Sequence, residues 1–197
     1  MSLADDSLII LLANAVEIYK QSHEIFLAHM ANGLGQTTLL TIANVTAEEA
    51  HTSVRFVDST GNPMVVPVQG LGSVAEVNLT IPPVASAKVQ TVDTGAALAV
   101  GWVRVLSDKV VRGSSIFQYS GGVSITHEAG VGDAAATGFG NVYVQRGGAF
   151  NTGVAIANPL DEGIAVLVRL LNSAGVQVGS RTIALAAGSH IAKFVDE

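Results

Sequence analysis

An internal repeat constrains this chain more than any other feature of its sequence. Residues 38–61 align with residues 152–175 without a gap, and nine of the 24 aligned positions are identical. Both segments contain the series Thr-x-x-x-Ile-Ala-Asn, which ends at Asn44 in the first segment and at Asn158 in the second. A repeat on this scale predicts one supersecondary unit that the chain builds twice.

Short apolar runs separated by turn residues indicate that the repeated unit is made of β-strands. In the run 52–57, Val54 and Phe56 point to one side while Arg55 points to the other, as expected for a half-buried strand. We therefore predict an all-β fold, an antiparallel immunoglobulin-like β-sandwich built from the internal repeat. The predicted strands are 39–43, 52–57, 64–68, 75–81, 88–92, 98–106 and 114–119.

The second copy of the unit is shorter than the first. The similarity resumes at residues 78–81 and 182–185, where the offset between the copies has fallen by ten residues because the first copy has a longer hairpin. The sequence ends at Glu197, before any counterpart of the run that contains Trp102. Either the sequence is part of a longer protein, or the second copy completes its sheets by shared packing or dimerisation, because half a sandwich leaves an unpaired strand edge.

The first 24 residues differ in pattern from the rest of the chain. Apolar residues from Leu8 to Tyr19 recur near helical spacing and Ser7 can cap the first turn, so we predict one N-terminal α-helix. This helix would cover a sheet edge or bind a partner, and Met1 to Leu3 are a candidate cloning remnant. The predicted organisation is this N-terminal helix in residues 1–24, a first β-sandwich repeat in 25–120, a Gly/Ala-rich connector in 121–140 and a second, incomplete β repeat in 141–197.

The composition excludes several classes of partner and chemistry. A formal net charge of −6 with only ten scattered Lys and Arg residues offers no footprint for nucleic acid. The longest apolar run is far shorter than the roughly 20 residues that span a bilayer, so we predict no membrane span. The chain has no cysteine, which excludes thiol catalysis, Fe–S clusters and Cys-type zinc sites.

The titratable residues do not form a recognisable catalytic or metal-binding motif. The five histidines lack the spacings of metal-binding helices, and no nucleophile elbow or phosphate-binding loop is present. Acid pairs lie at turns or termini, where charge usually serves solubility. Glu48 and Glu162 occupy the same turn of the two copies, which indicates a shared turn or a weak Ca²⁺ site. We predict no enzyme, no cofactor and no catalytic, cofactor-binding or metal-binding residue. The histidines are His23, His29, His51, His127 and His190, and the acid pairs are at 5–6, 48–49, 161–162 and 196–197.

Trp102 and two arginines are the other residues that we single out. Trp102 is the sole tryptophan, and its alternating run predicts a core residue packed between two sheets, with an exposed sugar-stacking platform as the alternative. Arg55 and Arg169 occupy matching positions of the repeat, and each is predicted on the outer face of a strand, where it can pair with an acid across strands.

Several motifs in their order along the chain carry a family resemblance. They are Ile-Ala-Asn at 42–44, Val-Arg-Phe at 54–56, Gly-Trp-Val-Arg-Val at 101–105 and Phe-Asn-Thr-Gly-Val-Ala-Ile-Ala-Asn-Pro at 150–159. Over residues 26–197 the chain resembles an uncharacterised family of β-sandwich repeats in exported and cell-surface proteins of soil bacteria, Acidobacteria among them. The resemblance implies a secreted or cell-surface location and a modular role, and it transfers no active-site residue. No export signal is visible in the chain.

These observations predict a non-catalytic structural or adhesive β-sandwich module of a bacterial secreted or cell-surface protein. Its partners would be neighbouring repeats or a second copy of the chain. The alternative is a carbohydrate- or Ca²⁺-dependent ligand-binding module that uses loops such as 70–73 and 121–132. A hydrolase with a site assembled from dispersed acidic residues is the third hypothesis.

Overall fold

The computed structural model describes residues 7–12, 15–20, 22–121, 124–148 and 150–197. Every regular element in these residues is a β-strand, and every strand pair is antiparallel. The predicted all-β, antiparallel class is therefore confirmed. None of the described segments forms an apolar helix long enough to cross a bilayer.

The strands are numbered in chain order. They are β1 (Ser7–Leu12), β2 (Ala15–Lys20), β3 (His23–Asn32), β4 (Gln36–Asn44), β5 (Ala50–Asp58), β6 (Val66–Val68), β7 (Gly72–Val74), β8 (Glu76–Ile81), β9 (Ser86–Gln90), β10 (Ala99–Ser107), β11 (Val111–Ser120), β12 (Ile125–Gly132), β13 (Arg146–Gly147), β14 (Phe150–Asn151), β15 (Gly153–Ala157), β16 (Ile164–Leu171), β17 (Gln177–Leu185) and β18 (His190–Phe194). Each of the seven runs predicted from the sequence overlaps one of these strands.

Two four-stranded sheets make up the largest part of the fold. The first sheet has the order β3-β10-β5-β8, and the second has the order β12-β11-β4-β9. Both sheets supply side chains to one continuous apolar core. The most deeply buried members of this core are Leu27, Met30, Leu40, Ile42, Val54, Phe56, Ile81, Val103 and Val105.

Strand β5 illustrates how the sequence produces this packing. Val54 and Phe56 are buried in the core, and the intervening Arg55 is exposed on the opposite face. Arg55 lies 3.4 Å from the carboxylate of Glu76, its partner on the neighbouring strand. The predicted alternation and the predicted cross-strand pairing of Arg55 are thus both confirmed.

A β-bulge in β3 sets the two faces of the first sheet. Gly101 pairs with Met30 and Val103 pairs with Leu27, so two residues of β3 lie opposite the single Trp102. Because of the extra residue, Leu27 and Met30 both face the core although they are three positions apart. Gly101 is required here because a Cβ at this position would lie 2.0 Å from the carbonyl oxygen of Val57.

The C-terminal part of the chain forms two further strand pairs, β15 with β18 and β16 with β17. Their registers parallel those of two pairs in the large sheets. Ile164 pairs with Leu185 as Ala50 pairs with Ile81. Likewise, the β15–β18 pair has the register of the β4–β9 pair, after the offsets found in the sequence alignment. Within the described residues, neither C-terminal pair gains a third strand.

The predicted N-terminal helix is wrong for the residues that the structure describes. β1 and β2 pair with each other, and Leu12 lies opposite Ala15. The helical spacing of the apolar residues misled us because the same stretch is rich in β-branched Ile and Val, which favour extended backbone. Residues 1–6, 13, 14 and 21 of the predicted segment lie outside the described residues, and its last two residues, His23 and Glu24, begin β3.

The predicted Gly/Ala-rich connector also contains regular structure. Its residues 125–132 form β12, which extends the second sheet by pairing with β11. Beyond this strand, Ala134 exchanges two backbone hydrogen bonds with Phe26, each 2.9 Å long. The chain therefore covers the outer edge of β3 before it reaches the C-terminal strands.

The close approach at Gly101 yields a stability test. We expect Gly101→Ala to lower the free energy of unfolding by about 2 kcal/mol or more, because the added methyl group must displace the backbone of β5. Gly130→Ala is the matched control on a strand, since its Cβ would meet nothing closer than 3.8 Å. Urea denaturation followed by circular dichroism measures both variants, and equal stabilities would contradict the assigned contact.

Candidate functional site

A buried asparagine organises the turn between β4 and β5. The Asn44 side-chain amide donates hydrogen bonds to the carbonyl oxygens of Glu48, Ile81 and Pro82, at 2.6, 3.1 and 3.1 Å. Its Oδ1 atom accepts hydrogen bonds from the backbone and hydroxyl of Thr46. Asn44 is only 2% exposed. One side chain thus ties the turn after β4 to the end of β8.

Asn158 makes the same set of contacts in the C-terminal strands. Its amide donates to the carbonyl oxygens of Glu162, Leu185 and Ala186, at 2.7, 3.5 and 2.8 Å. Its Oδ1 atom accepts the backbone N–H of Leu160 at 3.1 Å. Asn158 is fully buried. Each partner is the aligned counterpart of a partner of Asn44.

Two other local networks recur at aligned positions. Asp58 accepts the backbone N–H groups of residues 60 and 62, and Asn172 accepts those of residues 174 and 176. The hydroxyl of Thr38 joins the N–H and carbonyl groups of Ala31, as the hydroxyl of Thr152 joins those of Gln145. All of these contacts hold backbone in place, which is a scaffolding role.

Glu48 and Glu162 lie in the turn that follows each of the two asparagines. Glu48 and Glu162 contribute their backbone carbonyl oxygens to the asparagine network. The carboxylate of Glu48 forms an ion pair with Lys109. Among the described residues, no group of three or more His, Cys, Asp or Glu side chains could hold a metal ion.

The C-terminal strands contact the outer face of the first sheet at Trp102. This side chain is 1% exposed, and its indole N–H donates to the carbonyl oxygen of Gly188 at 2.9 Å. The Phe26 ring lies beside it, with ring centroids 6.0 Å apart. Arg104, over the Phe26 ring, donates to the carbonyl oxygen of Pro159 at 3.1 Å. We call this contact region the junction.

The position of Trp102 corrects one sequence-based prediction. Trp102 is buried, as expected, but it does not pack between the two large sheets. Its neighbours Val103 and Val105 face the shared core, so Trp102 lies on the opposite face of β10. The C-terminal turn at residues 186–189 covers it, and the indole is therefore not an exposed sugar platform.

Two turns meet closely at one end of the junction. A Cβ at Gly61 would lie 2.6 Å from the carbonyl oxygen of Ala187, and Gly61 has a φ of 96°. The backbone N–H of His190 donates to the carbonyl oxygen of Ser59 at 3.2 Å. Backbone thus contacts backbone across the junction, with no side chain between.

A histidine pair completes the junction. The rings of His29 and His190 stack with centroids 5.5 Å apart, and His29 Nδ1 lies 3.4 Å from His190 Nε2. The Phe117 ring packs edge-on against His29, with centroids 4.9 Å apart. Burial lowers the pKa of His29. Burial is the main effect that lowers the pKa of His190, to about 4, and the charge of His29 lowers it further. The Ala28 backbone has a smaller, opposite effect on this pKa. Both rings are therefore neutral at neutral pH.

The outermost feature of the C-terminal strands is an exposed apolar strand, β16. Its residue Val168 is 39% exposed, whereas the aligned Val54 is fully buried. Leu170 is 40% exposed, whereas the aligned Phe56 is 1% exposed. Val54 and Phe56 belong to the apolar core that the two large sheets share, whereas among the described residues β16 pairs only with β17 and contributes no residue to that core.

A cavity lies over β5. It has a volume of about 380 Å³, and its lining includes Thr52, Ser53 and Asn78. Asp108, also at this cavity, accepts the backbone N–H of His51 at 2.7 Å. The lining offers hydroxyl and amide groups for hydrogen bonding, but not the two opposed carboxyl groups of a glycosidase.

The structure brings together few of the residues that we singled out in the sequence. Of the five histidines, His29 and His190 contact each other. His127 lies on β12 near Tyr119, and Asp196 lies 3.4 Å from Arg146. The pair at positions 5–6 is outside the described residues. Sequence reasoning missed the junction because its histidines are 161 positions apart and no local pattern links them.

Comparison of the chain with protein-family models, with curated proteins and with solved structures found no match. The function is therefore inferred from the geometry of the molecule. Its principal features are the turns organised by Asn44 and Asn158, which we call the asparagine turns, the junction and the exposed strand β16.

The asparagine network predicts a large loss of stability on substitution. We expect Asn44→Ala to lower the free energy of unfolding by about 3 kcal/mol, because buried carbonyl oxygens lose their donor. Asn44→Asp is the informative comparison. It retains the acceptor for Thr46 but places a carboxylate against carbonyl oxygens, so it should be at least as destabilising. Chemical denaturation measures both, and an Asp variant as stable as the wild type would contradict the assigned donor role.

We expect substitutions of Trp102 to lower the free energy of unfolding in proportion to the contacts that they remove at the junction. Trp102→Phe keeps an aromatic ring but loses the hydrogen bond to Gly188, and we expect a loss of about 1 kcal/mol. Trp102→Ala removes the ring as well and should cost about 4 kcal/mol. Calorimetry should also separate the C-terminal strands from the large sheets as a second transition in the alanine variant. One unchanged transition would show that Trp102 does not couple them.

The histidine pair predicts acid sensitivity. The pKa of His190 is lower in the folded chain, about 4, than the ordinary value of 6.5, so protons bind the unfolded chain more readily. Its contribution to stability is complete above pH 6.5 and decreases as the pH falls toward 4. Thermal unfolding across this range measures the effect. His190→Gln should flatten the slope, whereas His51→Gln, at an exposed position, should leave it unchanged.

Proposed function

We propose that this protein is a non-catalytic structural or adhesive module built from two copies of one β unit. The observation that carries the proposal is the recurrence of the asparagine turn. Asn44 and Asn158 donate to three carbonyl oxygens at aligned positions, and the strand pairs around them share their registers. Independent strands would have no reason to repeat a network of this detail. Duplication of one unit accounts for it.

The architecture of the unit follows from the same comparison. We propose that the two large sheets are an immunoglobulin-like β-sandwich and that the C-terminal strand pairs are a second, partial copy of it. The common apolar core of the two sheets supports the sandwich. In the described residues, β15, β16, β17 and β18 are the counterparts of β4, β5, β8 and β9. The strands of the partial copy are held by the junction.

The ionisable groups of the described residues support a structural role. Arg55 with Glu76 and Arg112 with Asp133 are ion pairs between neighbouring segments at the surface. The most buried titratable pair, His29 with His190, lies between packed rings and contributes to the junction. We therefore propose that the chain acts through packing and unit-to-unit contact, without a catalytic residue.

A secreted or cell-surface location, in bacteria, belongs to this proposal because the motif order resembles exported repeats. Intact cells of the source organism, treated with protease and probed with an antibody against the chain, test the location. We expect loss of the cell-associated chain without lysis, or its recovery from the medium, while a cytosolic marker stays intact. A chain that resists protease until lysis would contradict the proposal.

A ligand-binding module is the second candidate because of the cavity over β5. Hydroxyl and amide groups in its lining can form hydrogen bonds to a sugar. A thermal-shift screen with glycans and Ca²⁺ separates the two candidates. A structural module should show no change in melting temperature, whereas a ligand must raise it with concentration by mass action. Loss of such a shift in Asn78→Ala would assign the cavity.

A further inference from the structure

The exposed strand β16 has one edge without a partner. In β5, the carbonyl oxygen of His51 accepts the N–H of Asp108 on the β10 side, whereas Phe56 donates toward the β8 side. Backbone groups of alternate residues therefore point to opposite edges. By alignment, Leu167 and Arg169 of β16 direct their N–H and carbonyl groups to the edge opposite β17. No described strand pairs with this edge.

The counterpart in the same chain shows what such an edge requires. The matching edge of β5 is filled by β10, which pairs with it from Gly101 to Ser107. Strand β10 runs antiparallel to β5. By the same equivalence, we expect an antiparallel strand at the free edge of β16.

The composition of β16 is that of a central strand. Its sequence Ile-Ala-Val-Leu-Val-Arg-Leu-Leu is apolar on both faces, and Leu167 and Leu171 are 62% and 50% exposed on the outer face. Edge strands that stay unpaired usually carry prolines, several charges or inward-pointing charges. β16 has one charge, Arg169, and no proline. Such an edge favours strand addition.

We propose that β16 pairs with β16 of a second copy of this chain, antiparallel and about a twofold axis. Two strand pairs then join into the sheet β17-β16-β16-β17, which has four strands, as do both large sheets. A twofold axis makes the contact self-complementary and closed, so both copies satisfy the same edge. The inference rests on the proposed function, because the expectation of a neighbour for β16 comes from its equivalence to β5.

One register satisfies the whole edge and separates the charges. With Val168 on the twofold axis, the run from Ala165 to Leu171 pairs along its full length. Each Arg169 then lies opposite Leu167 of the other copy, so the two arginines do not face each other. The two Val168 side chains form the close, non-hydrogen-bonded pair at the centre, with Cβ atoms about 5 Å apart.

Proline variants test the edge. Leu167→Pro removes an N–H from the proposed interface, while Thr182→Pro removes one from the outer edge of β17. Leu167 and Thr182 are register partners, which makes the two changes a matched pair. By light scattering at about 100 μM, a concentration that detects weak pairing, we expect two-chain particles for the wild type and Thr182→Pro and single chains for Leu167→Pro. A monomeric wild type, or a dimer that survives Leu167→Pro, would overturn the proposal.

Charge variants test the same contact without a change in backbone. Leu167→Arg places two cations opposite each other in the proposed register, whereas Leu167→Glu places opposite charges together. We expect Leu167→Arg to dimerise about tenfold more weakly than Leu167→Glu. Leu167 is exposed, so neither change should affect folding, which circular dichroism checks. Equal dimerisation would overturn the assigned register.

A cysteine variant identifies the occupant. The chain has no natural cysteine, so Val168→Cys introduces a single thiol. We expect a disulfide-linked dimer on mild oxidation, and none with Arg181→Cys, whose residue pairs with Val168 but lies on β17. A dimer without this link would mean that another segment, such as β1, fills the edge, which contradicts pairing between two β16 strands. These results are independent of cellular location and ligand binding, so each proposal can fail alone.

Discussion

The arrangement of this molecule depends on a buried amide at the turn between its two large sheets. Where β4 ends, the backbone leaves one sheet, and β5, which follows, pairs with β8 in the other. Asn44 supplies N–H groups to carbonyl oxygens at the end of β8 from within the core, at a position only 2% exposed. An unpaired carbonyl group at this depth would cost about 1–3 kcal/mol. The turn therefore fixes how the two sheets meet, and Asn158 does the same for the C-terminal strands.

The part of the fold that could be predicted from sequence is the part that local patterns encode. Alternation around Val54 and Phe56 identified β5, and the Ile-Ala-Asn series identified both asparagine turns. The N-terminal helix failed because helical spacing and β-branched composition conflict in residues 7–20, and the structure adopts the extended alternative. With conflicting local signals, tertiary and cross-strand contacts decide the outcome.

The junction could not be predicted because its contacts join distant parts of the chain. Trp102 reaches Gly188 across 86 positions, and alternation alone places an apolar side chain on a face without saying what covers that face. We expected the partner sheet to cover it, but Val103 and Val105 already fill that side of β10. The opposite face of β10 is instead covered by the turn at residues 186–189 of the C-terminal strands.

The large sheets and the C-terminal strand pairs differ in how their strand edges are covered. The outer edge of β3 is covered by the backbone of Ala134, which exchanges two hydrogen bonds with Phe26. This protection uses chain that continues from β12 into the C-terminal strands. The edge of β16 receives no such cover from the described residues, although its side chains are more apolar than those of an ordinary edge strand. Its apolar composition suits a strand with neighbours on both sides. In the first large sheet, β10 hydrogen-bonds the edge of β5 that β8 leaves free. The equivalent edge of β16 needs a strand from outside the β16–β17 pair.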